Sequence, residues 1–336
     1  MTKRILIVLG VVAATIGLLH VDQAVAKDET YVMRLGYATK FDPQDFANNH
    51  FAERLKKLVG DRIQVQLYPA GQLGSGEIML QQIEQGNLHG TTCPTAFLGG
   101  RYDLITMLDL PYLIERDLEP AIDYLNGPIG QKLTAGLAKH NMINVLFYPQ
   151  GERLLLTTFK VDSIDKFKGK KIRVMPAKVQ IDTYNAWGAS GIPMNVPELY
   201  TALQQGTVDG LDSPPQFLFA MKYYEVAKFL LMGPRIPLPI MFIVNKKWFD
   251  SLPSDLQKAI FEAASDRNTL VQQTLKVNNE ALEKMEKAGV TIVKPSEGFQ
   301  QEMRARSGEV HKKFLSAHPD ARPLYDEIVQ ALAPKK

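Results

Sequence analysis

The chain has 336 residues, 45% hydrophobic and 22% charged, with 39 basic and 36 acidic side chains and a formal net charge of +3. This is ordinary globular usage, which excludes a disordered, collagen-like or multi-span membrane chain, and so even a charge balance argues against a nucleic-acid partner. The length predicts about two domains, and a single cysteine, Cys93, excludes an internal disulfide and a cysteine-based zinc site.

At the N-terminus, Lys3 and Arg4 precede an uncharged apolar run over residues 5–19, and Ala24-Val25-Ala26 offers a small-x-small cleavage site. This is the pattern of a secretory signal peptide. The apolar run is about 15 residues, short of the roughly 20 needed to span a bilayer. Cleavage is expected after Ala26, with the protein released into the periplasm. Removing residues 1–26 takes away Lys3, Arg4 and Asp22, leaving 310 residues with 37 basic and 35 acidic side chains. A chain that long can bury enough apolar surface without disulfides.

Residues 31–37 have the short apolar-rich look of a strand. Residues 46–59 have helical spacing, with Phe51, Leu55 and Leu58 on one face, closed by Gly60-Asp61. Residues 62–68 alternate, Ile63, Val65 and Leu67 on one side, and read as a strand. A loop over 69–76 leads into a helix over 77–85, with Glu77 in its first turn and Gly86 as its stop. Strand and helix in alternation is the α/β signature. Residues 154–158 and 171–174 read as strands, and 197–205 as a helix with Pro197 at its start and Gly206 at its end. Gln85-Gly86-Asn87-Leu88-His89-Gly90 echoes Gln205-Gly206-Thr207-Val208-Asp209-Gly210, which suggests two related α/β lobes. Residues 241–244 form a further apolar strand.

Residues 254–287 contain no Gly or Pro. At 1.5 Å per residue they make roughly 50 Å of helix, enough to cross a two-lobed protein. Ser254 with Gln257 fits a capping box, and Gly289 ends the run. The polar stretch 265–268 argues against a continuous coiled coil.

No catalytic pattern stands out. The histidines beyond His20 (His50, His89, His140, His311 and His318) are scattered, so no metal site is expected. The Gly-rich loop over 71–76 lacks the Gly-Lys-Ser/Thr ending of a phosphate-binding loop, and there is no Gly-x-Ser-x-Gly elbow. No cofactor is expected. Two classes remain: an exported binder that holds a small solute between two lobes, or a secreted enzyme with an unrecognised site.

Four segments bear on that choice. They are LGSGE from Leu73 to Glu77; FKGKKIRV from Phe167 to Val174; Pro193-Met194 with PELYTALQQGTVDG from Pro197 to Gly210 and YEVAK from Tyr224 to Lys228; and LPSDLQKAI from Leu252 to Ile260. Together they resemble the solute-binding subunit of tripartite ATP-independent periplasmic (TRAP) transporters, the DctP family, in order and spacing over nearly the whole chain after residue 26.

The resemblance implies an α/β, type II-like periplasmic binding fold of two lobes, with central mixed sheets flanked by helices and a long helix spanning both. It implies a cleft that closes on a small organic acid, delivery to a TRAP-type membrane permease, and a monomer more often than a dimer. The expected lobes are 27–150 plus about 239–270, and 151–238 plus about 271–336. In that family an arginine on the KIRV-like strand grips the ligand carboxylate; the matching residue is Arg173, whose planar guanidinium suits two carboxylate oxygens. A second arginine maps to Arg153. Many relatives carry Asn where this chain has Ser213, which has fewer hydrogen-bonding groups and weakens a sialic-acid reading. Glu77, Met194, Phe217 and Arg235 complete the expected ligand contacts. Phe217 and the proline-rich segment 234–239 suggest a pocket that is apolar away from its carboxylate end.

Overall fold

The computed structural model describes residues 30–115, 117–233 and 236–333. The expected signal peptide and Arg235 lie outside the described residues.

The first lobe opens with β1 (Tyr31–Tyr37), α1 (Pro43–Val59), β2 (Ile63–Tyr68), α2 (Gly76–Gln85) and β3 (Gly90–Pro94). It continues through α3 (Leu118–Leu125) and α4 (Pro128–Thr134) to β4 (Met142–Glu152). The chain then enters the second lobe: β5 (Leu154–Thr157), β6 (Lys171–Val174), α5 (Lys178–Trp187), β7 (Ser190–Pro193), α6 (Val196–Gln204), β8 (Gly210–Ser213), α7 (Pro215–Ala220) and β9 (Phe229–Leu231). It returns along β10 (Pro237–Asn245), α8 (Lys246–Ser251) and α9 (Ser254–Ala264), crosses again in α10 (Arg267–Lys287), and ends with β11 (Thr291–Val293), α11 (Glu297–Ala317) and α12 (Arg322–Ala331).

Two mixed sheets result, ordered β2-β1-β3-β10-β4 and β11-β9-β5-β8-β6-β7. This is the expected two-lobed α/β architecture. The sequence echo falls at equivalent places. In each lobe a helix ends at a glycine with positive φ, Gly86 at 82° and Gly206 at 71°, and the chain re-enters the sheet as β3 or β8. Each of these strands runs parallel to one neighbour, β1 or β6, and antiparallel to the other, β10 or β5.

The run over 254–287 is two helices. Asp266 accepts a hydrogen bond from the Thr269 N–H at 3.4 Å and caps α10, while the Ser265 hydroxyl returns to the Glu262 carbonyl at 2.8 Å. Side chains that bond their own backbone stop one helix and start the next. The Ser254 capping box does not form, because the helix begins after Pro253 and Gln257 donates to the Leu252 carbonyl instead. Within α10, Thr274 and Asn278 bond the Pro149 and Gln150 carbonyls of β4, and Asn278 also accepts from the Gln216 N–H of α7. The helix therefore braces both lobes.

The C-terminus departs from the expected boundary. Phe299 and Met303 of α11 lie in the second-lobe core, but Phe314 of α11 and Ile328 of α12 lie in the first-lobe core. Glu327 pairs with Lys132 of α4 at 2.8 Å. An apolar stripe on α12 needs a partner surface, and α4 supplies it. No helix among the described residues is long and apolar enough to cross a membrane.

Candidate functional site

A cavity lies between the two sheets. Thr39, Gln44 and Gln150 line it from the first lobe, and Arg173, Asp212 and Ser213 from the second. Phe97, Met175, Val196, Phe217, Leu238 and Ile240 make the rest of its wall largely apolar.

Arg173 sits on β6, between β7 and β8, with Ile192 and Leu211 as its register partners. Alternation sends Ile172 and Val174 into the core under α5 and Arg173 to the opposite face. The residue is 3% exposed. Nε donates to the Met194 carbonyl at 2.8 Å, and Nη2 is buried without a partner. Burial pushes its pKa down to about 10, with nearby Tyr223 and Asp212 acting the other way. It stays charged at neutral pH, and an under-paired buried cation calls for an anion.

Arg153 has a different setting. Fully buried where the chain passes from β4 to β5, it sets Nη2 at 2.7 Å from each Asp212 oxygen and Nη1 at 3.5 Å from Asp109. Tyr184 donates to Asp212 at 2.6 Å, and Gln180 and Thr95 donate to Asp109 at 2.8 and 2.7 Å. Burial alone would lower the Arg153 pKa, but the two carboxylates outweigh it and hold it above the usual arginine value. Burial raises Asp109 against the pull of Arg153. Arg153 is thus held by Asp212 and Asp109 beside the cavity rather than lining it.

The other expected contacts divide. Ser213 and Phe217 line the cavity. Met194 contributes its carbonyl to Arg173, while its side chain packs on the second-lobe core. Glu77 is exposed and lines no part of the cavity, because α2 turns Met79, Leu80 and Ile83 inward and so directs Glu77 to solvent. Gln150, Thr39 and Gln44 were not read from the sequence. A uniform run of buried positions at the end of β4 gives Gln150 no periodic signal, and only its place beside Gly151 hints at it. Asp42 is also buried, accepting from Thr39 at 2.9 Å and Gln150 at 2.6 Å. Among the described residues no group of three or more His, Cys, Asp or Glu side chains could hold a metal ion.

The family profile for bacterial extracellular solute-binding protein, family 7 (DctP), matches residues 36–317. The chain belongs to this family. It is a TRAP-type solute-binding protein rather than an enzyme, as the four segments implied. A DctP-family relative, the C4-dicarboxylate-binding periplasmic protein DctP of Rhodobacter capsulatus, is 29% identical over 99% of this chain and 96% of its own. A TRAP solute-binding protein from Desulfovibrio salexigens, solved with bound orotic acid, superposes with a TM-score of 0.87 at 26% identity, covering 90% of this chain and all of that one. The sugar acid binding protein DctPAm of Advenella mimigardefordensis strain DPN7T, solved with galactonate, gives 0.85 at 27% identity, covering 90% and 98%.

Proposed function

We propose that this protein, released to the periplasm by cleavage after Ala26, captures a small organic acid between its lobes and hands it to a TRAP-type permease as a monomer. The observation that carries the ligand class is Arg173, a buried guanidinium with an unpartnered Nη2 in the wall of an interlobe cavity. Arg173 takes the ligand carboxylate, and Ser213 and Phe217 contact its remainder. Arg153 acts indirectly, by fixing Asp212 in the cavity wall. Three relatives bind a C4-dicarboxylate, orotic acid and galactonate, all carboxylic acids, which supports the same class here. A thermal-shift screen against organic acids tests it. A ligand present at 100 times its dissociation constant adds about 2.7 kcal/mol, a readily visible shift. Shifts only with neutral or cationic solutes would overturn the reading.

A further inference from the structure

We infer that Gln150 is the specificity-determining contact of the first lobe, and that the cleft takes a hydroxy monocarboxylate with a compact hydrocarbon body. This rests on the carboxylate reading of Arg173.

Gln150 and Arg173 face the same cavity from opposite lobes, each 3% exposed. Each carries a buried polar atom without a partner: the Gln150 Oε1 acceptor and the Arg173 Nη2 donor. The amide cannot be turned to exchange oxygen for nitrogen, because Nε2 donates to Asp42 Oδ2 at 2.6 Å. A flipped amide would set its oxygen against that carboxylate. A buried orphan acceptor is costly, and a ligand that donates to it removes the cost. A carboxylate at Arg173 and a hydroxyl at Gln150 together satisfy both atoms and join the lobes through the ligand.

The other walls limit the rest of the ligand. Thr39 donates to Asp42, Gln44 donates to Thr92, and Asp212 accepts from Arg153 and Tyr184. These polar groups are already engaged, so the several hydroxyls of a sugar acid would find few partners. Arg173 is the sole cation among the described residues lining the cavity, which leaves a second carboxylate unpaired. Phe97, Phe217 and Ile240 favour hydrocarbon instead. An amide oxygen also suits a neutral donor better than an ammonium, whose charge would enter an apolar space.

Calorimetric titration of the purified protein decides this. The panel is 2-hydroxy- and 3-hydroxy-4-methylpentanoate, 4-methylpentanoate, 2-oxo-4-methylpentanoate, leucine, succinate and galactonate. The better hydroxy acid is expected to bind at least tenfold more tightly than every other member. A preference below fivefold over 4-methylpentanoate or the oxo acid overturns the role of Gln150. So does tighter binding of leucine, succinate or galactonate, and in each of these cases the carboxylate reading stands. If no acid in the panel titrates, this inference falls, and the wider thermal-shift screen decides the carboxylate reading separately. In Gln150→Met the ratio between hydroxy acid and 4-methylpentanoate should drop to near one, which a merely structural role would not produce. A ratio unchanged from wild type overturns the inference, and the wild-type panel decides alone if that variant does not fold.

Discussion

Arg173 and Arg153 are both buried arginines, yet their partners separate them. Both keep buried guanidinium nitrogens without a hydrogen-bond partner, but Arg153 has two carboxylates beside it, whereas Arg173 has one carbonyl and lines the cavity. Removing one partner of a buried charge pair costs about 2–5 kcal/mol. Arg173→Ala should therefore weaken ligand binding roughly 30-fold to several thousandfold in calorimetric titration. Arg173→Lys keeps the charge without the two-pronged geometry and should also bind worse than wild type. Because Arg173 holds no carboxylate in the unliganded protein, apo melting should not fall in step; a large drop in melting temperature with affinity intact would make it a structural residue.

Asp42 gives a second prediction at this scale. Burial pushes its carboxyl up from 3.8 to about 6, against hydrogen bonds from the Asp45 N–H, Thr39 and Gln150. Between those values the folded chain binds the proton more tightly than the unfolded chain. The contribution of Asp42 to stability thus falls as pH rises through this window and levels off above it. Asparagine caps a helix as well as aspartate and does not titrate. The melting temperature of Asp42→Asn relative to wild type should climb from pH 4 to 6 and then stay flat to pH 8. A difference that is constant from pH 4 to 6 would show that Asp42 does not titrate there.

At the scale of elements, the critical joint is where β4 leaves the first sheet against α10. Gly151 has a φ of +120°, and a Cβ there would lie 2.7 Å from Asn278 Nδ2 and 3.3 Å from Pro214. That same amide nitrogen donates to the Gln150 carbonyl at 3.0 Å. Gly151→Ala should strain the backbone by about 1–3 kcal/mol and displace Asn278, loosening Gln150. Urea unfolding should show a loss of at least about 1 kcal/mol, together with weaker ligand binding. Unchanged stability would mean that the joint yields freely. The helix break at Ser265-Asp266 has a related consequence: His50 and Arg54 of α1 lie 2.8 and 3.5 Å from Asp266, so the cap also ties α10 to the first lobe.

For the whole molecule, the lobes meet through polar contacts and through Met175, Ala177 and Val179, which pack in the first-lobe core. Gln216 of α7 donates to the Phe41 carbonyl at 2.8 Å, and Gln180 of α5 to Asp109 at 2.8 Å. A ligand bonded to both lobes adds differential affinity for the closed form. Small-angle scattering should give a smaller radius of gyration at saturating ligand than without it. Identical curves would exclude a large closure while leaving binding intact.

The α/β class, the strands over 31–37 and 171–174, and the position of Arg173 on its strand were legible in the sequence, because local alternation and glycine punctuation determine them. The two-lobe echo was legible for the same reason: each lobe repeats one local unit. The break at Asp266 was present only as a polar stretch, since a helix cap and a solvated turn of helix look alike until the backbone partner is known. The carboxylates that engage Arg153 were not legible. Asp109 and Asp212 lie 44 and 59 residues away along the chain, and no periodicity links them. Gln150 was hidden for the same reason, its orientation depending on Asp42, 108 residues earlier. Sequence alone determined which residue types stand on which strand. The tertiary structure decided which of them keep an unpaired polar atom at the cavity, because pairing depends on what long-range packing brings within hydrogen-bonding distance.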